Sequence, residues 1–367
     1  MPRFNTFIYL FFFSLITLLF SCNNRHNTSL GTNQKAWYKT FTGKIGEKEM
    51  VLHLSKADNY SGYLYDKETQ FPIQVFSDPT MSVIDDSIYL NGGSPMLAFN
   101  LTGIIDTDIT GEVIMETNGI ADKPVSVTFR QDPDFTNFEF LVTKGNENLP
   151  AKLNNESTIE YFAATLWPAE KSNLLDSIKE HLKSLMRMPA KTVDVMKWLN
   201  SEKNSHLKTW QTEGEDLSLE DARIMGMSLS EQIYNRLNVM YENEESITLA
   251  YYEYAYTGGA HGNYGTTLIN IDKRTGKKIN LSDLLTTKEI DALPILLDQA
   301  ARKQYVITDN SSLEENGFFV SEILPGENFY LTSKGIGFFY GPYELKPYSE
   351  GEINLFVPFE ALKGFQK

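Results

Sequence analysis

Cysteine is almost absent. The chain of 367 residues has one, Cys22, so no intramolecular disulfide can form and stability must come from a packed core. Histidine is scarce too. The five are His26, His53, His181, His206 and His261, and none stands in a His-Glu-x-x-His pair. With no second thiol and no histidine pair, the sequence gives no metal-ligand spacing and implies no cofactor. A nucleophile elbow, a phosphate loop and a dinucleotide fingerprint are all missing, so catalysis is not expected. Positive charge is also in deficit, with 33 Lys and Arg against 48 Asp and Glu, a net charge of −15. That balance argues against nucleic acid and anionic lipid surfaces as partners and favours a basic one. Long apolar runs are missing except for Phe7–Phe20.

That one run decides the expected compartment. Arg3 is the only charge before it, and it is shorter than the span of about 20 residues that a bilayer needs. It ends in Leu19-Phe-Ser-Cys22, a small residue before the sole cysteine. This pattern implies a lipoprotein signal peptide over 1–21, cleavage before Cys22, and acylation of the Cys22 thiol and new amino group. Removing Met1–Ser21 takes away only Arg3, so the charge becomes 32 − 48 = −16. Residues 22–36 are polar and read as a tether. Asn23-Asn24 follows the anchor, with no aspartate at the next position, which points to the outer membrane of the cell envelope.

Residues 37–131 read as short strands with turn residues every eight to twelve positions, the signature of an antiparallel sandwich or barrel. Gln131-Asp-Pro-Asp-Phe-Thr136 marks a boundary. Residues 137–230 carry helical stripes. Ser172 caps Leu174, Leu175, Ile178, Leu182 and Leu185; a short second helix holds Val193, Met196 and Leu199; Ser218 opens a third. Residues 231–367 alternate as strands over 235–241, 246–256, 264–271 and 278–281. A capping box at Thr286 and Glu289 opens a helix to about Tyr305, with a kink expected at Pro294. Strands over 328–332, 335–340 and 353–357 are expected to complete the same sheet. The class is α+β, a mainly antiparallel sheet with helices on one face.

Candidate binding residues gather where Tyr251–Tyr256 runs through Gly258, Gly259 and His261 to Asn263. The glycines permit positive φ, and the loop has room to present side chains. Tyr252, Tyr254 and Tyr256 share one face of a strand, and Tyr340, Tyr343 and Tyr348 lie near two prolines. Such tyrosines fit a stacking surface for sugars, a protein anchor, or the half-buried face of a sheet. His261 fits a loop-pinning role or, alternatively, the centre of an unrecognised hydrolase.

Three blocks carry a family resemblance: Tyr256-Thr-Gly-Gly-Ala-His-Gly262, Asp272–Leu285 and Tyr340–Gly351. Their order and spacing resemble the extracytoplasmic domain family of the anti-sigma factor RsiV, over roughly Phe138–Leu362. Residues 37–131 are similar to the β-rich modules preceding such domains in Bacteroidetes lipoproteins. The resemblance implies extracytoplasmic protein binding, with lysozyme-like muramidases as the partner type. It does not carry over sigma-factor sequestration, because the chain opens on a signal peptide rather than a cytoplasmic segment. The expected function is a lipid-anchored, non-enzymatic envelope binding protein, with peptidoglycan or another glycan as the alternative ligand. Tyr256, Gly258, Gly259, His261, Asn263, Tyr343 and Tyr348 are the candidate contacts.

Overall fold

The computed structural model describes residues 36–365, apart from 70, 77–86, 92–95, 106–107, 118–119, 122, 154–155 and 309. The expected signal peptide, Cys22 anchor and nearly all of the tether lie outside the described residues.

The first strands are β1 (Trp37–Ile45), β2 (Lys48–Lys56), β3 (Tyr60–Asp66), β4 (Ile73–Phe76), β5 (Ser87–Asn91), β6 (Met96–Ile105), β7 (Asp108–Thr117), β8 (Ile120–Ala121) and β9 (Val125–Gln131). Each of β1 to β7 pairs antiparallel with the next; β9 pairs with β7 and returns to β1. The ring therefore closes as an eight-stranded up-and-down barrel, with β8 a short addition to β7. Closure explains how a meander avoids open edges. Gly43 sits at the β1–β9 closure, where a Cβ would come within 2.5 Å of the Thr128 carbonyl oxygen. Phe41, Leu52, Leu54, Leu64, Ile109 and Phe129 belong to one buried cluster of the barrel. In β2 the alternate residues Val51, His53 and Ser55 are buried as well. Both faces of this wall are covered, because β2 and β3 pack on the sheet that follows.

That sheet comprises β10 (Phe138–Asn148), β11 (Thr158–Pro168), β12 (Glu231–Glu242), β13 (Ser246–Tyr256) and β14 (Asn263–Asp272), in that spatial order. All neighbours are antiparallel except β11 and β12, whose parallel pairing requires the helical crossover between them. The crossover holds α1 (Asn173–Leu185), α2 (Val195–Asp216) and α3 (Leu219–Met225). Ser172, Asp194 and Ser218 accept the N-cap hydrogen bonds. One core joins Ile178, Leu182, Leu199 and Trp210 of these helices to Ile159, Leu237, Leu249 and Ile271 of the sheet. The sheet thus draws strands from both sides of residue 230. The short helix expected near Met196 is instead 22 residues long, because its polar second half is still held by buried Leu207 and Trp210.

The chain continues through α4 (Leu281–Leu284), α5 (Thr287–Gln304), β15 (Phe329–Leu331), β16 (Gly335–Tyr340), β17 (Ile353–Pro358) and α6 (Phe359–Leu362). The capping box of Thr286 and Glu289 is present, and α5 runs through Pro294 as one element. Two expectations change. Residues 278–281 form only the single bridge Ile271–Lys278 before α4 begins. Strands β15–β17 form their own three-stranded sheet, packed on α5 and α6, rather than completing the larger one. Its other face meets the barrel and the five-stranded sheet through Tyr330, Phe339 and Phe356 against Tyr63, Met240, Ala250 and Leu268.

The seam between barrel and sheet is polar and buried. Tyr65 donates to the Glu242 carbonyl oxygen at 2.8 Å. The Glu242 carboxylate accepts from Lys273 at 2.7 Å and from the Thr136 N–H and hydroxyl at 3.0 and 2.6 Å. Arg236, 2% exposed, donates to Ser55, to the Asn59 carbonyl oxygen and to the Tyr234 hydroxyl. The segment 132–137 is thereby tied to the sheet by Thr136.

Candidate functional site

The loop from Thr257 to Gly262 joins β13 to the edge strand β14. Gly258 and Gly259 take φ values of 89° and 95°. At Gly258 a Cβ would also lie 2.6 Å from the Ser228 carbonyl oxygen, so only glycine fits. Tyr256 donates to the Gly259 carbonyl oxygen at 3.1 Å and pins the loop from below. His261 then stacks on Tyr348, with ring centroids 3.8 Å apart and planes 20° apart.

The hydrogen bonds assign the His261 tautomer. Its Nδ1 lies 3.0 Å from the Gly262 carbonyl oxygen, which can only accept, so Nδ1 carries the proton. In the neutral ring Nε2 is left to accept from the Tyr343 hydroxyl at 3.2 Å. Tyr348 donates to the same Gly262 oxygen at 2.7 Å. Tyr343 has a φ of 69°, uncommon for a bulky residue, and its side chain stays 55% exposed. The loop therefore holds an aromatic ring out in solvent with its hydroxyl oriented. Tyr340 does not join this group; it is buried, and its hydroxyl donates to the Leu324 carbonyl oxygen.

The tyrosines form a row across strands rather than along one. Rings follow one another from Phe162 to Tyr234, Tyr252, Tyr264, Tyr348, His261 and Tyr343, with centroid spacings of 4.7, 6.1, 6.1, 5.5, 3.8 and 6.2 Å. Burial pushes the Tyr264 phenol up to about 12, with Tyr348 and Glu352 adding to the shift. Burial also raises Tyr348. These two phenols stay protonated near neutral pH and offer hydrogen bonds and ring faces, not a base.

Two residues the sequence did not flag, Asn328 and Glu352, close the edge of β14. Asn328 accepts from the Leu268 N–H and donates to the Thr266 carbonyl oxygen, both at 2.8 Å, as a neighbouring strand would. Glu352 accepts from the Thr266 N–H and hydroxyl. Burial holds its carboxyl above the usual carboxylate range, against the lowering effect of those two bonds. No local motif marks either residue, because their partners are 60 and 86 positions away. Beside this edge a cleft of about 920 Å³ opens, lined by Asn263 and Tyr264 at the start of β14 and by Trp198, Glu202 and His206 of α2.

The sequence-predicted residues thus divide. The structure brings His261, Tyr343 and Tyr348 together, with Gly258, Gly259 and Tyr256 shaping the loop beneath them. Asn263 is exposed at the start of β14. Among the described residues no group of three or more His, Cys, Asp and Glu is placed to hold a metal ion, and no helix is long and apolar enough to cross a membrane.

Residues 282–360 match the model of a family described as a protein of unknown function, DUF3298. The crystal structure of a DUF3298 family member from Bacteroides fragilis NCTC 9343 is similar to this chain, with a TM-score of 0.53 and 26% identity over 62% of this chain and 93% of that one. A DUF3298 family protein from Pseudomonas aeruginosa PAO1 gives a TM-score of 0.42 and 17% identity over 63% and 95%. No curated protein matches. The family match covers Tyr343 and Tyr348 but stops short of the His261 loop, which lies before residue 282.

Proposed function

We propose that this chain is a non-enzymatic binding protein of the cell envelope, anchored by lipid at Cys22, and that it docks a basic protein partner through the Tyr343 surface. The observation that carries the reading is Tyr343 itself: an exposed ring in a left-handed backbone conformation, positioned by His261. Aromatic anchors that are fixed before binding lose little entropy on docking. Phe319 and Leu324 are also exposed, at 55% and 61%. The Phe319 N–H donates to the Leu345 carbonyl oxygen, which ties its segment to the chain two residues from Tyr343.

Charge supplies the partner's sign. Between residues 312 and 351 stand exposed Glu314, Glu315, Glu322, Glu327, Glu344 and Glu350, against Lys334 and Lys346. Lys346 is buried, donating to the Asn316 carbonyl oxygen under the rings of Tyr305 and Phe318. The exposed rim is therefore acidic and would steer a basic protein, with lysozyme-like muramidases as the partner type that the RsiV resemblance implies.

Calorimetry with lysozyme at two salt concentrations tests this. Tyr343→Ala should weaken binding by about 2 kcal/mol or more, about thirtyfold in Kd, whereas added salt should mainly slow association. If lysozyme does not bind at physiological salt, or if binding fades smoothly with salt and ignores Tyr343, the protein-docking reading fails. The glycan reading then takes its place.

A further inference from the structure

We propose that the cleft between α2 and the edge of the five-stranded sheet is a second binding site, for a neutral oligosaccharide, with Trp198 as its stacking platform. The cleft borders the docking surface and shares Glu327 and Glu344 with it, but Tyr343 does not line it, so Tyr343 separates the two readings.

The far wall is a stripe of α2. Trp198, Glu202 and His206 are spaced at i, i+4 and i+8, and so share one helix face. All three line the cleft. The helix is held to the sheet chiefly by buried Val195, Leu199, Leu207 and Trp210, with Trp198 packed partly against the same core and Glu202 and His206 left outside it. Trp198 is only half-buried, and the His206 ring lies exposed, 5.4 Å from the ring of Tyr161. The near wall is the same sheet face further along, where Asn235, Glu253 and Thr267 offer polar groups beside Tyr251.

Electrostatics narrows the ligand. Glu253 is already held by Arg187 in a two-pronged pair at 2.8 and 3.1 Å. Glu352 is engaged by Thr266. That leaves Glu202, Glu327 and Glu344 against Lys278 on the lining, an acidic balance that disfavours phosphates and other anions. A purely apolar ligand would strand Asn235, Glu202 and Thr267 without water. Sugars meet both demands: their C–H faces stack on aromatic rings, and their hydroxyls donate to carboxylates and amides. The lining continues over the β14 edge to Thr266, Asn328 and Glu344, and the whole volume of about 920 Å³ gives room for more than one ring.

The test is titration of the mature chain with the β-1,4-linked tetramer of N-acetylglucosamine, followed by calorimetry and by tryptophan fluorescence. Cellotetraose and spermidine serve as comparison ligands. Saturable binding of either tetrasaccharide is expected, weakened at least about tenfold in Trp198→Ala and in Glu202→Gln, consistent with the loss of a stacking or charged hydrogen-bond contact. Tyr343→Ala should bind sugar as the parent does. Glu202→Gln is half-exposed and keeps the helix intact if Trp198→Ala does not fold. The proposal is overturned if neither tetrasaccharide saturates, if Glu202→Gln and a folded tryptophan variant both bind sugar unchanged, or if spermidine alone binds and Glu202→Gln abolishes it.

Discussion

Acid should loosen this protein at one buried histidine. His53 lies on the outer face of β2 against the seam, and it is not accessible to solvent. Tyr65 donates to the Glu242 carbonyl oxygen, so its oxygen is free to accept from His53 Nε2 at 3.4 Å. Nδ1 then carries the lone pair and accepts from the hydroxyl pair of Tyr38 and Thr40, which lie 3.0 Å from it and 3.1 Å from each other. The neutral ring satisfies this arrangement and a second proton does not. Burial, helped by nearby Lys273, lowers the His53 pKa from 6.5 to about 3. Between those values the unfolded chain binds a proton that the native chain does not, so stability falls as pH falls. The contribution is complete above 6.5 and is lost progressively toward 3. Going from about pH 7 to about pH 5 should cost about 2 kcal/mol from this residue alone. Glu352 works in the opposite direction, since its raised pKa lets the native state take up a proton first as pH falls. Urea unfolding of the parent and of His53→Gln at both pH values cancels that common part. The parent should lose about 2 kcal/mol more than the variant on acidification. Equal losses in the two proteins would refute the argument.

Three other outcomes are expected. Lys273→Met leaves the Glu242 carboxylate, whose side chain is 0% exposed, without its cation, and should destabilise the fold by about 3 kcal/mol or more in chemical denaturation. Asn328→Leu removes both side-chain bonds to the β14 edge and should cost about 1–3 kcal/mol while raising concentration-dependent association, measured by denaturation and light scattering. Cys22→Ala should abolish lipid labelling and release the protein from the membrane fraction; unchanged fractionation and labelling would remove the anchor from the account.

Much of the fold was legible because its signals are local. The strands of the barrel announce themselves by turns, and the caps at Ser172, Ser218 and Thr286 sit where the helices begin. What escaped was set by distant partners. β11 is buried without a break from Ala163 to Leu166, so the alternation that starts at Ile159 and Tyr161 fades in its second half. The length of α2 was hidden by its polar second half, which carries only two large buried anchors, Leu207 and Trp210. The split into two sheets depends on Asn328 and Glu352 replacing a strand at the edge of β14, and no alternation encodes that substitution. At the site, the glycine turn and His261 were readable, while the pairing of His261 with Tyr343 across 82 positions was not.

Hydrogen–deuterium exchange of residues 22–367 with and without lysozyme tests the docking surface most directly. Slowed exchange is expected in two separate stretches, Gly258–Asn263 and Gly341–Gly351, because His261, Tyr343 and Tyr348 lie against one another, with the slowing lost in Tyr343→Ala. Protection confined to the barrel over 37–131, or no protection at a lysozyme concentration that saturates any measured binding, would contradict it.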